Sequence, residues 1–150
     1  MVLSQEFKIQ LLHQCKKTIE LRMSNATVAM QAAQEAANGE EKSSAGDKYE
    51  TSRAMGHRDR DMYARQLLEA KNELQKLDKI NLESSEVIKT GSLIEFGNNL
   101  YFIATGIGKI EILGRFVIVI SKESPLSISL LGKKINDEIF FNGKKLKIDN

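Results

Sequence analysis

NGEEKSSAGDKYET, residues 38–51, separates two long stretches that read as helix, and almost nothing in it is apolar. Four acids fall here: Glu40, Glu41, Asp47 and Glu50. Asn38-Gly39 has the form of a helix C-terminus, with glycine at the position that favours left-handed backbone. Ser44-x-x-Asp47 or Asp47-x-x-Glu50 has the form of a capping box that opens the next helix. Helix end and helix start lie so close that the chain must turn back on itself, and that reversal decides the architecture of the first half.

On both sides of the break the sequence suits helix. Residues 1–83 contain no proline, hold glycine only at 39, 46 and 56, and are rich in Ala, Gln, Glu, Lys, Leu and Met. Leu12, Cys15, Ile19, Ala26, Ala29, Ala33 and Ala36 follow a three-four spacing with Arg22 as the polar interruption; Tyr63, Leu67, Ala70, Leu74 and Leu77 follow it again. This is the seam of a coiled coil. Folding the arms about residues 42–43 brings Leu12 to Leu74, Cys15 to Ala70, Ile19 to Leu67 and Arg22 to Tyr63. The expectation is an antiparallel helical hairpin over 1–83, with a tip loop at 38–48 and arms of roughly 50 Å. Arms that bury one stripe each project rather than build a compact core. The alanines toward the tip allow a close approach, so the tip should be slim.

After residue 83 the period changes. VIKTGSLIEF, LYFIAT, KIEIL, RFVIVI, DEIFF and KKLKI are short and rich in Ile, Val and Phe, with partial alternation. Gly97-Asn98-Asn99 and Asn142-Gly143 read as hairpin turns. Pro125, the only proline, precedes LSISLL, a candidate short helix. Residues 84–150 are expected to form a small, strongly bent antiparallel β domain with one short helix, joined through a hinge at 79–86. The fold class is α+β.

Composition narrows the function. The 150 residues carry a net charge of +2, so no global field drives nonspecific nucleic-acid binding. One cysteine, Cys15, excludes an internal disulfide framework and fits a reducing compartment. MVLSQEF has no basic region followed by an apolar run, and FVIVI at 116–120 is too short to span a bilayer. A cytoplasmic protein without membrane attachment is expected.

Two stretches carry a family resemblance. SPLSISLLGKKINDEIFFNGKKLKI, 124–148, resembles the C-terminal signature of the bacterial Gre transcript-cleavage factors, GreA and GreB: Ser-Pro-hydrophobic, a short helix ending in Leu-Leu-Gly-Lys-Lys, then a strand opening with an acid. Gly91-Ser92-Leu93-Ile94 resembles the first strand of the same domain, and GDKYET, 46–51, has the Gly-Asp-x-x-Glu spacing of the family's tip loop. The chain departs from the family at Lys48-Tyr49, where Leu-Ser is usual, at Thr51, where Asn is usual, and at Asn136, where Gly is common. An alternative alignment on Tyr49 puts Lys42 and Ala45 at the two acidic positions.

The resemblance implies a helical coiled-coil hairpin followed by an FKBP-like domain. It implies a transcription elongation factor that enters the secondary channel of RNA polymerase and stimulates cleavage of backtracked RNA. The chemistry would remain the polymerase's own, so the factor is not itself an enzyme. Asp47 and Glu50 are the implied tip acids, with Glu40 and Glu41 in reserve. They would help hold a Mg²⁺ shared with the polymerase, while no cofactor binds the factor alone. Ser124, Pro125, Leu126, Lys133 and Lys134 are the implied partner-binding residues. Arg53, Arg58 and Arg60, with Arg65, are candidates to touch RNA near its 3′ end, and DNA contact is expected to be weak.

Simpler roles stand beside these. The tip acids suit capping, and the arginines suit a solvated face interleaved with Asp59 and Asp61. Cys15 sits at a seam position, and His13 and His57 lack the spacing of a metal site. Gly106-Ile107-Gly108-Lys109 is a fragment of a phosphate loop with no helix after it. Lys133, Lys134, Lys144, Lys145 and Lys147 suit edge-strand protection, or docking to an acidic rim. Three other functions compete: a regulator of the same shape that occupies the channel without cleavage, a prolyl isomerase with an aromatic-lined pocket, and a coiled-coil adaptor that self-associates.

Overall fold

The computed structural model describes the backbone of residues 4–40, 46–141 and 144–149, and the side chains of these except 40, 46–50, 52 and 144–149. Helix α1 spans Gln5–Glu40 and α2 spans Gly46–Asp78. Six strands follow: β1 Leu93–Phe96, β2 Asn99–Ala104, β3 Gly108–Ile112, β4 Arg115–Ser121, β5 Glu138–Phe141 and β6 Lys144–Asp149. Helix α3, Pro125–Leu130, lies between β4 and β5. The expected hairpin and small β domain with one short helix are both present. By compactness the chain divides into one unit of residues 1–16 with 75–150 and a second of 17–74.

In the first unit the helical base is well closed. Ser4 caps α1, its hydroxyl accepting from the Phe7 N–H at 3.1 Å, with Glu6 in the first turn. Phe7, Leu11, Cys15 and Leu77 are buried. The fully buried position is Leu11 rather than Leu12, which is half-buried. Lys16 meets Asp78 at 3.1 Å. After α2, the Gly91 N–H donates to the Ile103 carbonyl at 2.7 Å. Gly91 has φ +95°, and a Cβ there would lie 2.6 Å from the Asn81 carbonyl oxygen, so only glycine fits.

The sheet order is β3-β4-β2-β1-β6-β5. Neighbours pair antiparallel except β2 and β4, which run parallel from Tyr101↔Ile118 to Ala104↔Ser121. The sheet is therefore mixed, where hairpin turns alone predict an antiparallel one. The reason is connectivity: residues 105–107 carry the chain past a vacant position, β3 becomes an edge, and β4 returns between β3 and β2. Strand alternation reports which face a residue uses, not which strand is its neighbour. One face carries Ile88, Ile94, Phe96 and Ile103 against Leu126 and Leu130 of α3 and Ile139 of β5. Leu93, Leu100, Phe102, Val117 and Val119 are buried as well.

Turns follow their residues. Gly97 and Asn98 have φ +57° and +68°, the type I′ geometry that suits a two-residue hairpin. Leu113 and Gly114 repeat it at +50° and +78°, although leucine is poorly suited there. The expected turn at Asn142-Gly143 lies outside the described residues. Strand β6 lies between β1 and β5, and the outer strands are β3 and β5. The edge-strand reading of Lys144, Lys145 and Lys147 therefore fails for β6 as a whole.

In the second unit Ala26, Ala37 and Ala70 are buried, and Ala33, Tyr63, Leu67 and Leu74 half-buried. Ala37, not the expected Ala36, faces inward. At Gly56 an added Cβ would stand 2.9 Å from Ala37 Cβ and 3.2 Å from the Ala33 carbonyl oxygen. The arms meet there at glycine-to-alanine distance, as the small seam residues predict.

Candidate functional site at the end of the hairpin

Contacts between the arms fix the register and correct the one inferred from the seam. In the second unit Arg22 Nη1 lies 3.7 Å from Glu73 Oε2, Arg60 Nη1 donates to Gln34 Oε1 at 2.7 Å, and Gly56 abuts Ala37. In the first unit Lys16 pairs with Asp78. Each pair is centred near residue 47, not 42–43. Arg22 thus meets Glu73 rather than Tyr63, and the arms are displaced by about two helical turns, roughly 12 Å, from the expected pairing. Three-four spacing repeats, so an apolar seam matches itself at more than one offset; charged partners do not.

This register has a consequence for the tip. The residue of α2 that stands opposite Glu40, the last residue of α1, is close to position 54. Residues 46–53 of α2 accordingly run past the end of α1 for about two turns. Asp47 and Glu50 occupy the first turn of α2, one helical turn apart in sequence. Their side chains, and that of Glu40, lie outside the described ones, and Glu41 lies outside the described residues altogether. The expected metal-holding role therefore rests on position in the chain. Among the described residues no group of three or more His, Cys, Asp or Glu side chains forms a metal site. A pair of carboxylates completed by a partner is what a shared Mg²⁺ requires.

The arginines do not form one face. At 100° per residue, Arg58 lies about 160° around α2 from Arg60. Arg53 and Arg60 flank the seam, whereas Arg58 and Arg65 are exposed on the back of the helix. Arg60 is also engaged: besides Gln34, its Nη2 and Nε donate to Asp61 Oδ1 at 3.0 and 3.3 Å. Gln34 Nε2 in turn donates to Asn38 Oδ1 at 2.9 Å.

In the C-terminal half, Ser124 is the N-cap of α3 and Pro125 its first residue. The Ser127 N–H donates to Ser124 Oγ at 3.2 Å, and Ser124 Oγ–H donates to Ser127 Oγ at 3.0 Å. Leu126 is buried in the core. The Ser-Pro-Leu motif thus has a structural duty that its sequence alone foretells through capping chemistry. Lys133 and Lys134 are exposed, on a segment held by Ile88 N–H to Lys133 O at 2.8 Å and Lys134 N–H to Asp137 Oδ2 at 2.7 Å. Asn136, where the family commonly has glycine, has φ +73°. The position demands left-handed backbone, and asparagine is the side chain that tolerates it best after glycine.

Other candidates resolve simply. Cys15 is fully buried, and burial pushes its thiol up to about 12. Gly108 and Lys109 lie in β3, so the phosphate-loop fragment leads into a strand. Phe96 and Phe102 are buried in the core while Phe116 and Phe140 are exposed on separate strands, an arrangement that serves packing more than an aromatic pocket. Among the described residues no helix is long and apolar enough to cross a membrane.

No family model matches the chain, and no curated protein matches it. Among solved structures it is similar to GreA factor homolog 1 (Gfh1) of Thermus thermophilus, at 17% identity over 94% of this chain and 92% of that one, with a TM-score of 0.34. It is also similar to a structure of the transcription factor Gfh1, at 17% identity over 98% of this chain and 92% of that one, with a TM-score of 0.31. Both belong to a homologue of the factor family that the sequence resembles.

Proposed function

We propose that this chain is a Gre-like transcription elongation factor of the cytoplasm that binds RNA polymerase through its secondary channel. Its tip stimulates the polymerase's own cleavage of backtracked RNA, and it carries no catalytic centre of its own. The observation that carries this reading is the placement of Asp47 and Glu50 in the first turn of α2, on turns that outrun α1. A single helix is a slimmer carrier of charge than a pair, and a narrow channel favours it. The motifs at 46–51 and 124–148 support the same assignment.

In this reading Asp47 and Glu50 each offer a hard oxygen to Mg²⁺, the number that Mg²⁺ usually takes from one partner. Mg²⁺, when bound beside the polymerase's own metal, stabilises the attacking and leaving oxygens of phosphodiester hydrolysis. The alanine and glycine seam keeps the arms close behind the acids. Lys133 and Lys134 supply exposed cations for docking to an acidic rim of the polymerase. The β domain acts as a docking module of FKBP-like fold, without isomerase activity.

The test is RNA cleavage by a stalled, backtracked complex of the cognate polymerase with Mg²⁺. The wild-type chain should shorten the RNA from its 3′ end. Asp47→Ala/Glu50→Ala should lose about 10²-fold of that rate, the order expected when a charge contact at a transition state is removed. The Lys48-Tyr49 departure favours a second reading, a regulator that occupies the channel without cleavage. Competition for the channel with no shortening of RNA would select it and return the two acids to capping.

A further inference from the structure

The apolar seam near the tip is nearly featureless. Ala26, Ala33, Ala37 and Gly56 present small groups to one another, and sliding one arm along the other sets small against small again. Uniform seams specify register weakly, and a single polar contact across them can decide it. The arms of this hairpin satisfy apolar pairing at two offsets about 12 Å apart: the one centred near residue 47, and the one centred at 42–43 in which Ile19 meets Leu67. The polar side chains distinguish them. In the first, Arg60 finds Gln34 and Arg22 finds Glu73. In the second, Arg60 would stand opposite Ala26 and Arg22 opposite Tyr63, leaving both guanidinium groups without those partners.

We propose that Arg60 and Gln34 form a register latch, which selects the pairing that carries the start of α2 beyond the end of α1. The chain of contacts runs from Asp61 through Arg60 and Gln34 to Asn38, three residues from the first residue of the turn at 41–45. It therefore ties a position on α2 to the C-terminal turn of α1. Arg60 is a positioning residue, acting through Gln34 on the height of the tip acids, and not a contact to RNA. The bond is short at 2.7 Å and its donor is charged, the class of hydrogen bond with the largest net effect. The consequence for cleavage rests on the function proposed above; the latch itself does not.

The experiment measures register directly. Spin labels on the exposed positions Glu35 and Asn72 lie about 20 Å apart along the axis in the described register, and would lie about 32 Å apart after the slide. Cys15 is buried, so labelling falls on the two introduced cysteines. In the full chain Arg60→Ala should raise the population at the longer distance about tenfold or more. Gln34→Ala, on the other arm, should do the same, and Arg60→Lys should restore most of the shorter distance. A distance that stays near 20 Å in both alanine variants overturns the latch, whatever cleavage does. Loss of cleavage in Arg60→Ala with an unchanged distance would likewise overturn it, and return Arg60 to RNA contact. If the wild-type chain elicits no cleavage, the functional proposal fails while the distances still decide the latch.

Discussion

Gly56 offers a quantitative test of how closely the arms approach. A Cβ added there would meet Ala37 Cβ at 2.9 Å and the Ala33 carbonyl oxygen at 3.2 Å. Carbon atoms rest at about 3.5–4.0 Å, so the arms would have to separate by about 0.6–1 Å. Alanine gains about 1 kcal/mol over glycine in helix propensity. Overpacking of this kind costs about 1–3 kcal/mol, because both contact atoms belong to the backbone or its first carbon and cannot rotate away. Gly56→Ala should therefore destabilise the hairpin by about 0–2 kcal/mol despite its better propensity. Ala37→Gly alone should cost about 1–2 kcal/mol, from lost propensity and one buried methyl group. Combined, the two substitutions move the methyl across the seam and remove the worst contact. The double variant should be more stable than the sum of the singles by about 1 kcal/mol, a coupling typical of side chains in contact. Urea unfolding of the four proteins, followed by far-ultraviolet circular dichroism, closes the cycle. Additivity within about 0.3 kcal/mol would refute the close approach.

Three further outcomes are expected. Gly91→Ala places a side chain at φ +95° and 2.6 Å from the Asn81 carbonyl oxygen, and should cost about 3 kcal/mol or more in thermal or urea unfolding; a cost below about 1 kcal/mol would contradict the geometry of the 80–91 connection. Leu113→Asn, at an exposed type I′ position with φ +50°, should stabilise by about 0.5–1 kcal/mol by relieving a left-handed leucine, measured as an upward shift in Tm. Cys15 should resist thiol reagents in the native chain and react on unfolding. Its folded pKa lies near 12, above the ordinary thiol value, so the unfolded state releases the proton first as pH rises. Stability should fall between about pH 9 and 12 for this reason, and Cys15→Ala should flatten that slope in urea titrations at fixed pH.

Much of the fold was legible because it depends on local period and local chemistry. Tyr63, Leu67, Ala70, Leu74 and Leu77 keep three-four spacing without interruption, and each is half-buried or buried. The six strands and α3 follow alternation, turn residues and the Ser124-Pro125 cap. What escaped the sequence depends on comparison between distant segments. Nothing in RFVIVI says that it returns between β2 and β3 rather than beside β3 alone, because alternation is the same in either place. The type I′ turn at Leu113-Gly114 was hidden inside an apolar run, since leucine gives no turn signal.

The register shows the same limit where it matters most for the tip. Read as hydrophobicity alone, Ile19 with Leu67 and Leu12 with Leu74 make the larger apolar contacts, and they centre the hairpin at 42–43. That pairing leaves Arg22 and Arg60 facing a tyrosine and an alanine. Desolvating a guanidinium without a partner costs more than one leucine–isoleucine contact returns. The charges therefore overrule the seam, and they do so with residues the heptad pattern treats as interruptions. Arg22 breaks the seam of α1 and Arg60 lies at its flank on α2; each finds its partner only after a slide of about two turns. The same slide carries Asp47 and Glu50 onto turns of α2 that α1 does not accompany. The position of the acids is thus set from a distance, by polar contacts near the middle and end of the arms, and a reading confined to the loop sequence cannot reach it.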